Sequence, residues 1–193
     1  MVAGEAAMEA GEGSIKWARL GRRELLRCPV FTVTERENEG PGGRKGTFVV
    51  LEAPEWTTVV PLVRRDGEDF FLMVRQYRHG SDELSLEFPG GVVEPGEEPA
   101  AAAARELAEE TGYTAGSLRL AGSVYPNPAI LSNRFHVFLA EGLTRAGGTD
   151  FDEHEAIDSF LVKADEVRAT MGSGQYSHAL MAAALFFADR LLA

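Results

Sequence analysis

The stretch GGVVEPGEEPAAAAARELAEETGY, residues 90–113, constrains this chain more than any other. Its first half is rich in glycine and proline and must turn. Its second half opens on Pro99, which suits a first helical turn, and continues through Ala100 to Ala104, which are strong helix formers. Gly112 suits the position just past the helix end. On such a helix Glu106, Glu109 and Glu110 are spaced i, i+3 and i+4 and project from one side. Like charges at that spacing repel, so a positive charge is expected among them. Clustered carboxylates with no Cys or His grouping make a hard-oxygen set suited to Mg²⁺ or Mn²⁺ and ill suited to zinc. Arg105 is rotated by about 100° from its helical neighbour, which is expected to turn it away from the triad and toward Glu97. Gly90, Gly91 and Gly96 let the loop turn tightly and bring backbone carbonyls near an ion. The competing interpretation is a solvated acidic helix face.

The bulk numbers narrow the class. A length of 193 residues with 45% hydrophobic content suits one ordinary domain with a real core and a small appendage. A net charge of -11 argues against a broad nucleic-acid-binding face, while a few arginines can still dominate one cleft. The single Cys28 has no internal disulfide partner, fits a reducing compartment and is expected to be a small, buried or half-buried side chain. No run approaches the roughly 20 apolar residues that span a bilayer. The opening MVAGEAAMEAGEGS lacks the basic and apolar regions of a signal peptide. Residues 1–13 are therefore expected to form a frayed tail, with the protein cytoplasmic and without a membrane partner.

Along residues 15–52 the runs IKWARL, CPVFTVTE and TFVVLE, broken by NEGPGGRKG, predict antiparallel strands. TTVVPLVRR and FFLMVRQYR, joined by DGED, predict a core hairpin, and SLEF is a short strand entering the glycine turn. LRLAGSVY and RFHVFLAEGL predict two more strands around the loop PNPAILSN. GGTDFDEHEA is an acidic loop, IDSFLV a strand, ADEVRATMGSG a short helix, and SHALMAAALFFADRLLA an amphipathic helix packed on the sheet. The pattern is that of a mixed sheet covered by helices. His136 is expected to be a packed or hydrogen-bonded strand residue, and His154 lies in the acidic loop.

Gly91, Glu97, Arg105, Glu106, Leu107, Glu109, Glu110, Gly112 and Tyr113 together resemble the Nudix box, G-x5-E-x7-R-E-U-x-E-E-x-G-U, where U is bulky and apolar. Every fixed position is filled, and Tyr113 departs only mildly at the last. The resemblance implies an α/β fold, an α/β/α sandwich around a mixed sheet, preceded here by the antiparallel N-terminal β segment. It divides the chain into the tail 1–13, the β segment 14–50 and the hydrolase domain 51–193. It implies a Mg²⁺-dependent hydrolase of a nucleoside diphosphate linked to another moiety, with Mn²⁺ as the alternative ion. Glu106 and Glu110 would be the main ligands, Glu109 would assist and the Gly90 carbonyl would add an oxygen. Gly91, Glu97 and Arg105 would be structural.

VRQYRHG followed by LEFPGG is similar to the ADP-ribose and nucleotide-sugar pyrophosphatase branch. So is Pro128, sixteen positions after Gly112. By that resemblance Arg75 and Arg78 are candidates for the phosphates, since arginine forks bind them in bidentate fashion. Tyr77 is a candidate for stacking on a base or ribose. The branch also implies a homodimer built partly on residues 14–50, with Trp17 and Phe31 serving that interface or the monomer's core, and a glutamate of the acidic loop as general base. Spacing to AIDSFLV points to Glu153, then Glu155, with Glu109 as the fallback. The alternatives are a family hydrolase of a dinucleotide polyphosphate or oxidised nucleotide, and a non-catalytic sensor of ADP-ribose-like ligands.

Overall fold

The structure, a computed structural model, describes residues 15–151 and 156–193. They fall into two units: residues 15–53 with 127–132, and residues 54–126 with 133–193.

The smaller unit is an antiparallel meander of β1 (Ala18–Arg27), β2 (Thr32–Glu39) and β3 (Lys45–Glu52). The turn between β2 and β3 runs through Gly42 and Gly43, whose φ of 73° and 75° only glycine adopts readily. The strand IKWARL predicted at 15–20 begins later and runs further, to Arg27. Its charged continuation GRRELLR has no apolar alternation to betray it. Along the ladder charges are paired: Arg23 with Glu35, Arg27 with Glu24, and Arg22 and Arg36 both with Glu52. Trp17 lies edge-on to Phe48 at 5.2 Å and covers Gly40, where a Cβ would stand 2.5 Å from the indole. Cys28 is half-buried, and its thiol donates to the Phe31 carbonyl at 3.1 Å. Leu51 exchanges backbone hydrogen bonds with Ile130 and Ser132 of the second segment.

The larger unit carries a six-stranded sheet in the order β11-β5-β4-β9-β8, with β6 pairing β5. The strands are β4 (Trp56–Arg65), β5 (Glu68–Arg78), β6 (Glu83–Glu87), β8 (Ser117–Val124), β9 (Phe135–Glu141) and β11 (Asp158–Lys163). Only β4 and β9 run parallel, which makes the sheet mixed. Successive residues Val59 and Val60, and Phe138 and Leu139, face opposite layers. That is why β4 and β9 read as unbroken apolar runs. Helix α1 (Pro99–Thr111) covers one face, with Ala103 and Leu107 on Val59, Leu72, Phe138 and Ala140. Helices α2 (Ala164–Thr170) and α3 (Ala179–Leu192) cover the other, with Val167, Met181, Ala184 and Leu185 on Phe71, Met73, Val137 and Leu139. The expected α/β/α sandwich is thus present. The β4–β5 turn is tighter than DGED suggested. Asp66 and Gly67, at φ 54° and 80°, make it alone, and Glu68 already pairs in β5. A two-stranded ribbon, β7 (Tyr113–Thr114) with β10 (Thr144–Arg145), was not expected, since two residues leave no periodicity to read. Among the described residues no helix is long and apolar enough to cross a membrane.

Candidate active site

The site is built where β5 parts from β4. The two strands pair only over Leu62–Arg65 and Glu68–Phe71. Beyond that, β5 takes β6 as partner, and the chain leaving β6 fills the edge of β4 that β5 has vacated. Val59 N–H donates to Pro89 O at 2.8 Å, Thr57 N–H to Gly91 O at 2.9 Å, and Val93 N–H to Glu55 O at 2.9 Å. The Thr58 hydroxyl donates to Pro89 O at 2.9 Å. The glycine loop is therefore an irregular strand fixed to the sheet.

Two carboxylates of α1 close on this strip. Glu110, 2% exposed, accepts the Gly90 N–H at 2.9 Å. Glu106 lies against Gly91, where a Cβ would stand 2.4 Å from Oε1 and 2.9 Å from Oε2. The i, i+4 pair and the diglycine thus form one surface. At its far end α1 stops at Gly112, at φ 72°, whose N–H returns to Ala108 O at 2.8 Å.

Arg105 does not turn away from the glutamates as expected. Its Nε and Nη2 do hold Glu97 at 3.1 Å each, and Nη2 also reaches Val92 O at 3.1 Å. But Nη1 donates to Glu106 at 3.0 Å and to Glu109 at 2.9 Å. Rotation about the helix sets only where the side chain starts, and an arginine is long enough to curl back to the i+4 position. These hydrogen bonds, with Glu97 the strongest, hold the Arg105 guanidinium far above its ordinary pKa. Arg105, helped by the Glu94 N–H, keeps the Glu97 carboxyl below the usual range. Part of the missing positive charge is thus internal, although one guanidinium cannot neutralise four carboxylates. Among the described residues no three such side chains are gathered as they stand to grip an ion. Yet the donor set is all oxygen, and the space that a Cβ at Gly91 would fill belongs to a carboxylate. Both fit a hard divalent cation.

The substrate-side candidates divide. Arg75 and Arg78 lie on opposite faces of β5. Arg75 pairs with the exposed Asp158 at 2.7 Å and lies over the Phe160 ring. Arg78 grips Glu87 of β6 along one edge, Nε to Oε1 at 2.7 Å and Nη2 to Oε2 at 2.6 Å. Glu87 is 1% exposed. Burial alone would raise its carboxyl pKa. The hydrogen bonds and charge of Arg78, the charge of His178 and the Ser85 hydroxyl outweigh this and hold it below the usual range. Tyr77 is exposed, donates to Asp82 and meets His79 edge-on at 5.2 Å. Pro128 belongs to the smaller unit. The acidic loop is pinned at its start by Asp150 N–H on Glu109 O at 2.9 Å. Glu153, His154 and Glu155 lie outside the described residues. His136 is hydrogen-bonded, as expected, through Nε2 to Glu55 at 2.7 Å. Sequence reasoning missed Glu87. The signal was a lone carboxylate in the short apolar run SLEF, on the strand hairpinned to Arg78.

Comparison with known proteins agrees with this geometry. A family model described as the NUDIX domain matches residues 54–181. An ADP-ribose pyrophosphatase of Bacillus subtilis is 29% identical over 154 residues, which cover 79% of this chain and 82% of that one. A CMP-5'-(N-acetyl-N-hydroxy-3-aminopropyl)phosphonate hydrolase of Streptomyces rubellomurinus is 30% identical over 161 residues, 83% of this chain and 76% of the other. A crystal structure of an ADP compounds hydrolase superposes with a TM-score of 0.80 at 25% identity, covering 92% of this chain and 94% of its own. With the box complete, the sandwich built and its glutamates folded onto the glycine strip, the chain belongs to the Nudix hydrolase family.

Proposed function

We propose that the protein hydrolyses the diphosphate linkage of ADP-ribose or a related nucleotide sugar, with Mg²⁺ or Mn²⁺, releasing a nucleoside monophosphate and a sugar phosphate. The observation that carries this reading is the closure of Glu106 and Glu110 on Gly90 and Gly91. The ADP-ribose pyrophosphatase and ADP compounds hydrolase to which the chain is similar support the substrate class. Glu106 and Glu110 would hold the ion, with Glu109 and the Gly90 carbonyl adding oxygens. A bound divalent ion supplies charge for the diphosphate and makes a water more acidic.

The chain's own residues do the rest. Of the two arginines on opposite faces of β5, Arg78 binds diphosphate oxygens and Arg75 faces the rim of the site or a partner subunit, while Tyr77 packs on the base or ribose. Glu97 and Arg105 hold loop and helix in register, and Gly91 keeps room for Glu106. Pro128 is a further candidate for contact with the substrate, by the resemblance alone. Glu153 takes the proton of the attacking water, with Glu155 next and Glu109 last in line. The bond from Asp150 to Glu109 supports this, since it starts the acidic loop beside α1.

The test is turnover with Mg²⁺ on ADP-ribose, ADP-glucose, GDP-mannose and diadenosine polyphosphates. A CMP-linked compound joins them because one relative is named for that chemistry. ADP-ribose or another nucleotide sugar should be preferred. Glu106→Gln and Glu110→Gln should each lose several kcal/mol of barrier lowering, more than ~10²-fold in rate, while staying folded. Wild-type rates in Glu110→Gln would sink the reading. Glu153→Gln should lower kcat by ~10²–10⁴ with little change in KM.

A further inference from the structure

We infer that Glu87 is a positioning residue that aims the Arg78 guanidinium at the substrate diphosphate and ties that aim to the glycine strip. The inference rests on the proposed role of Arg78 in binding substrate.

A carboxylate 1% exposed in a five-residue strand calls for a reason. Stability is a poor one. A buried ion pair commonly does no better than apolar side chains of the same volume, because both ions lose their hydration. Here the asymmetry is large: the Glu87 side chain is 2% exposed and that of Arg78 41%. The carboxylate is sunk and fixed while the cation keeps access to solvent. That suits an anchor acting on a working group.

The anchor is rigid. Phe88, the next residue, is 1% exposed, meets Phe71 edge-on at 5.5 Å and donates its N–H to Met181 Sδ at 3.1 Å. Pro89 and Gly91 are then bonded to β4, and Gly90 to Glu110. Between Glu87 and the surface shared with Glu106 and Glu110 there are thus only two residues, Phe88 and Pro89, both held.

The working end is not rigid by itself. Arg78 closes β5 at a surface turn through Ser81 and Asp82. An unheld arginine there would carry the rotamer entropy of a long, flexible side chain into binding. Gripped along its Nε–Nη2 edge by both carboxylate oxygens, the fork points one way before substrate arrives, which lowers the cost of binding. Arg75 has no such anchor, because its partner Asp158 is 69% exposed.

A double-mutant cycle in the full-length protein, with ADP-ribose and Mg²⁺, tests this. Arg78→Ala should raise KM about 10- to 100-fold, the scale of losing charge-assisted hydrogen bonds. Glu87→Gln should raise KM by a comparable factor with kcat changed less. In the Arg78→Ala background, Glu87→Gln should add nothing. Glu87→Asp keeps the charge but draws the guanidinium back by one methylene, so it should give an intermediate KM. It stands in for Glu87→Gln in the cycle if thermal melting shows that variant unfolded. If Arg78→Ala raises KM while the Glu87 variants keep the wild-type value, the inference is overturned and the reading of Arg78 survives. The same follows if the two effects simply add. If Arg78→Ala itself leaves KM unchanged, the substrate role of Arg78 fails, and the inference with it.

Discussion

Gly90 and Gly91 are neighbours, yet each is glycine for its own reason. A Cβ on Gly90 would stand 2.3 Å from Thr57 O and 2.7 Å from Thr58 Cα, both backbone atoms of a central strand. The three atoms nearest a Cβ on Gly91 all belong to the end of the Glu106 side chain. Gly90→Ala should therefore destabilise at or above the top of the ~1–3 kcal/mol range for overpacking. Gly91→Ala should melt close to wild type but lose turnover, because Glu106 must swing off its place. Thermal melts and kcat/KM on the two variants check the contrast, and equal melting losses would contradict it. Arg105→Ala removes the partner of three glutamates and of Val92 O. It should cost stability by ~2 kcal/mol or more, and a fully stable, inactive variant would place Arg105 on the substrate instead. The i, i+4 spacing made the Glu106–Glu110 pair legible from the sequence alone. The reach of Arg105 was not, because helical rotation says nothing about where a long, flexible side chain ends.

At the scale of elements, the β1–β3 sheet buries little and carries ion pairs along its backbone ladders. Glu52 is their centre. It accepts from Arg22 and Arg36 and from the Thr34 hydroxyl. The hydrogen bond from Arg22 leads in pulling its carboxyl to about 2, against burial that pushes it up, with Arg36 adding to the effect. A depressed folded-state pKa stabilises above the unfolded value of ~4.3 and is lost as pH falls toward the folded one. Wild type should therefore lose stability between pH ~4.5 and ~2. Glu52→Gln should be less stable at neutral pH and show a shallower fall across that window. Denaturant midpoints at stepped pH measure this, and parallel curves would refute it. The same sheet shows where the sequence was hard to read. β4, β9 and α1 were visible because burial on one or two faces writes itself into the residue pattern. β1 was misplaced because its ladder is neutralised by paired charges. The β7–β10 ribbon and the strip at residues 89–93 follow from tertiary pairing with partners distant in sequence, which no local window contains.

At the scale of the molecule, the smaller unit lacks a core of its own. Of its described residues only Thr34 and Gly40 are buried, while Leu20, Leu25, Leu26, Val30, Phe48 and Val49 are exposed. The register puts Phe48 in line with Arg36 and Arg22, and Leu26 in line with Val33 and Leu51, so both faces of the sheet show apolar side chains. Three strands with so few buried side chains are marginal in water, and exposed apolar area of this kind marks an interface. We propose that a second copy of the chain covers it. The net charge of -11 opposes self-association in general. On the strands of this sheet, however, six arginines and lysines stand against five glutamates, so a copy meets little net charge there. The protein should sediment as a homodimer at micromolar concentration. Phe48→Glu combined with Leu26→Glu should drive it toward monomer, because each new carboxylate would be buried without a partner. Deleting residues 14–50 should lower both association and affinity for substrate, since the resemblance to ADP-ribose pyrophosphatases implies that the site is completed near the subunit boundary. Sedimentation velocity run alongside steady-state kinetics decides the matter, and a full-length monomer with full activity would refute the dimer.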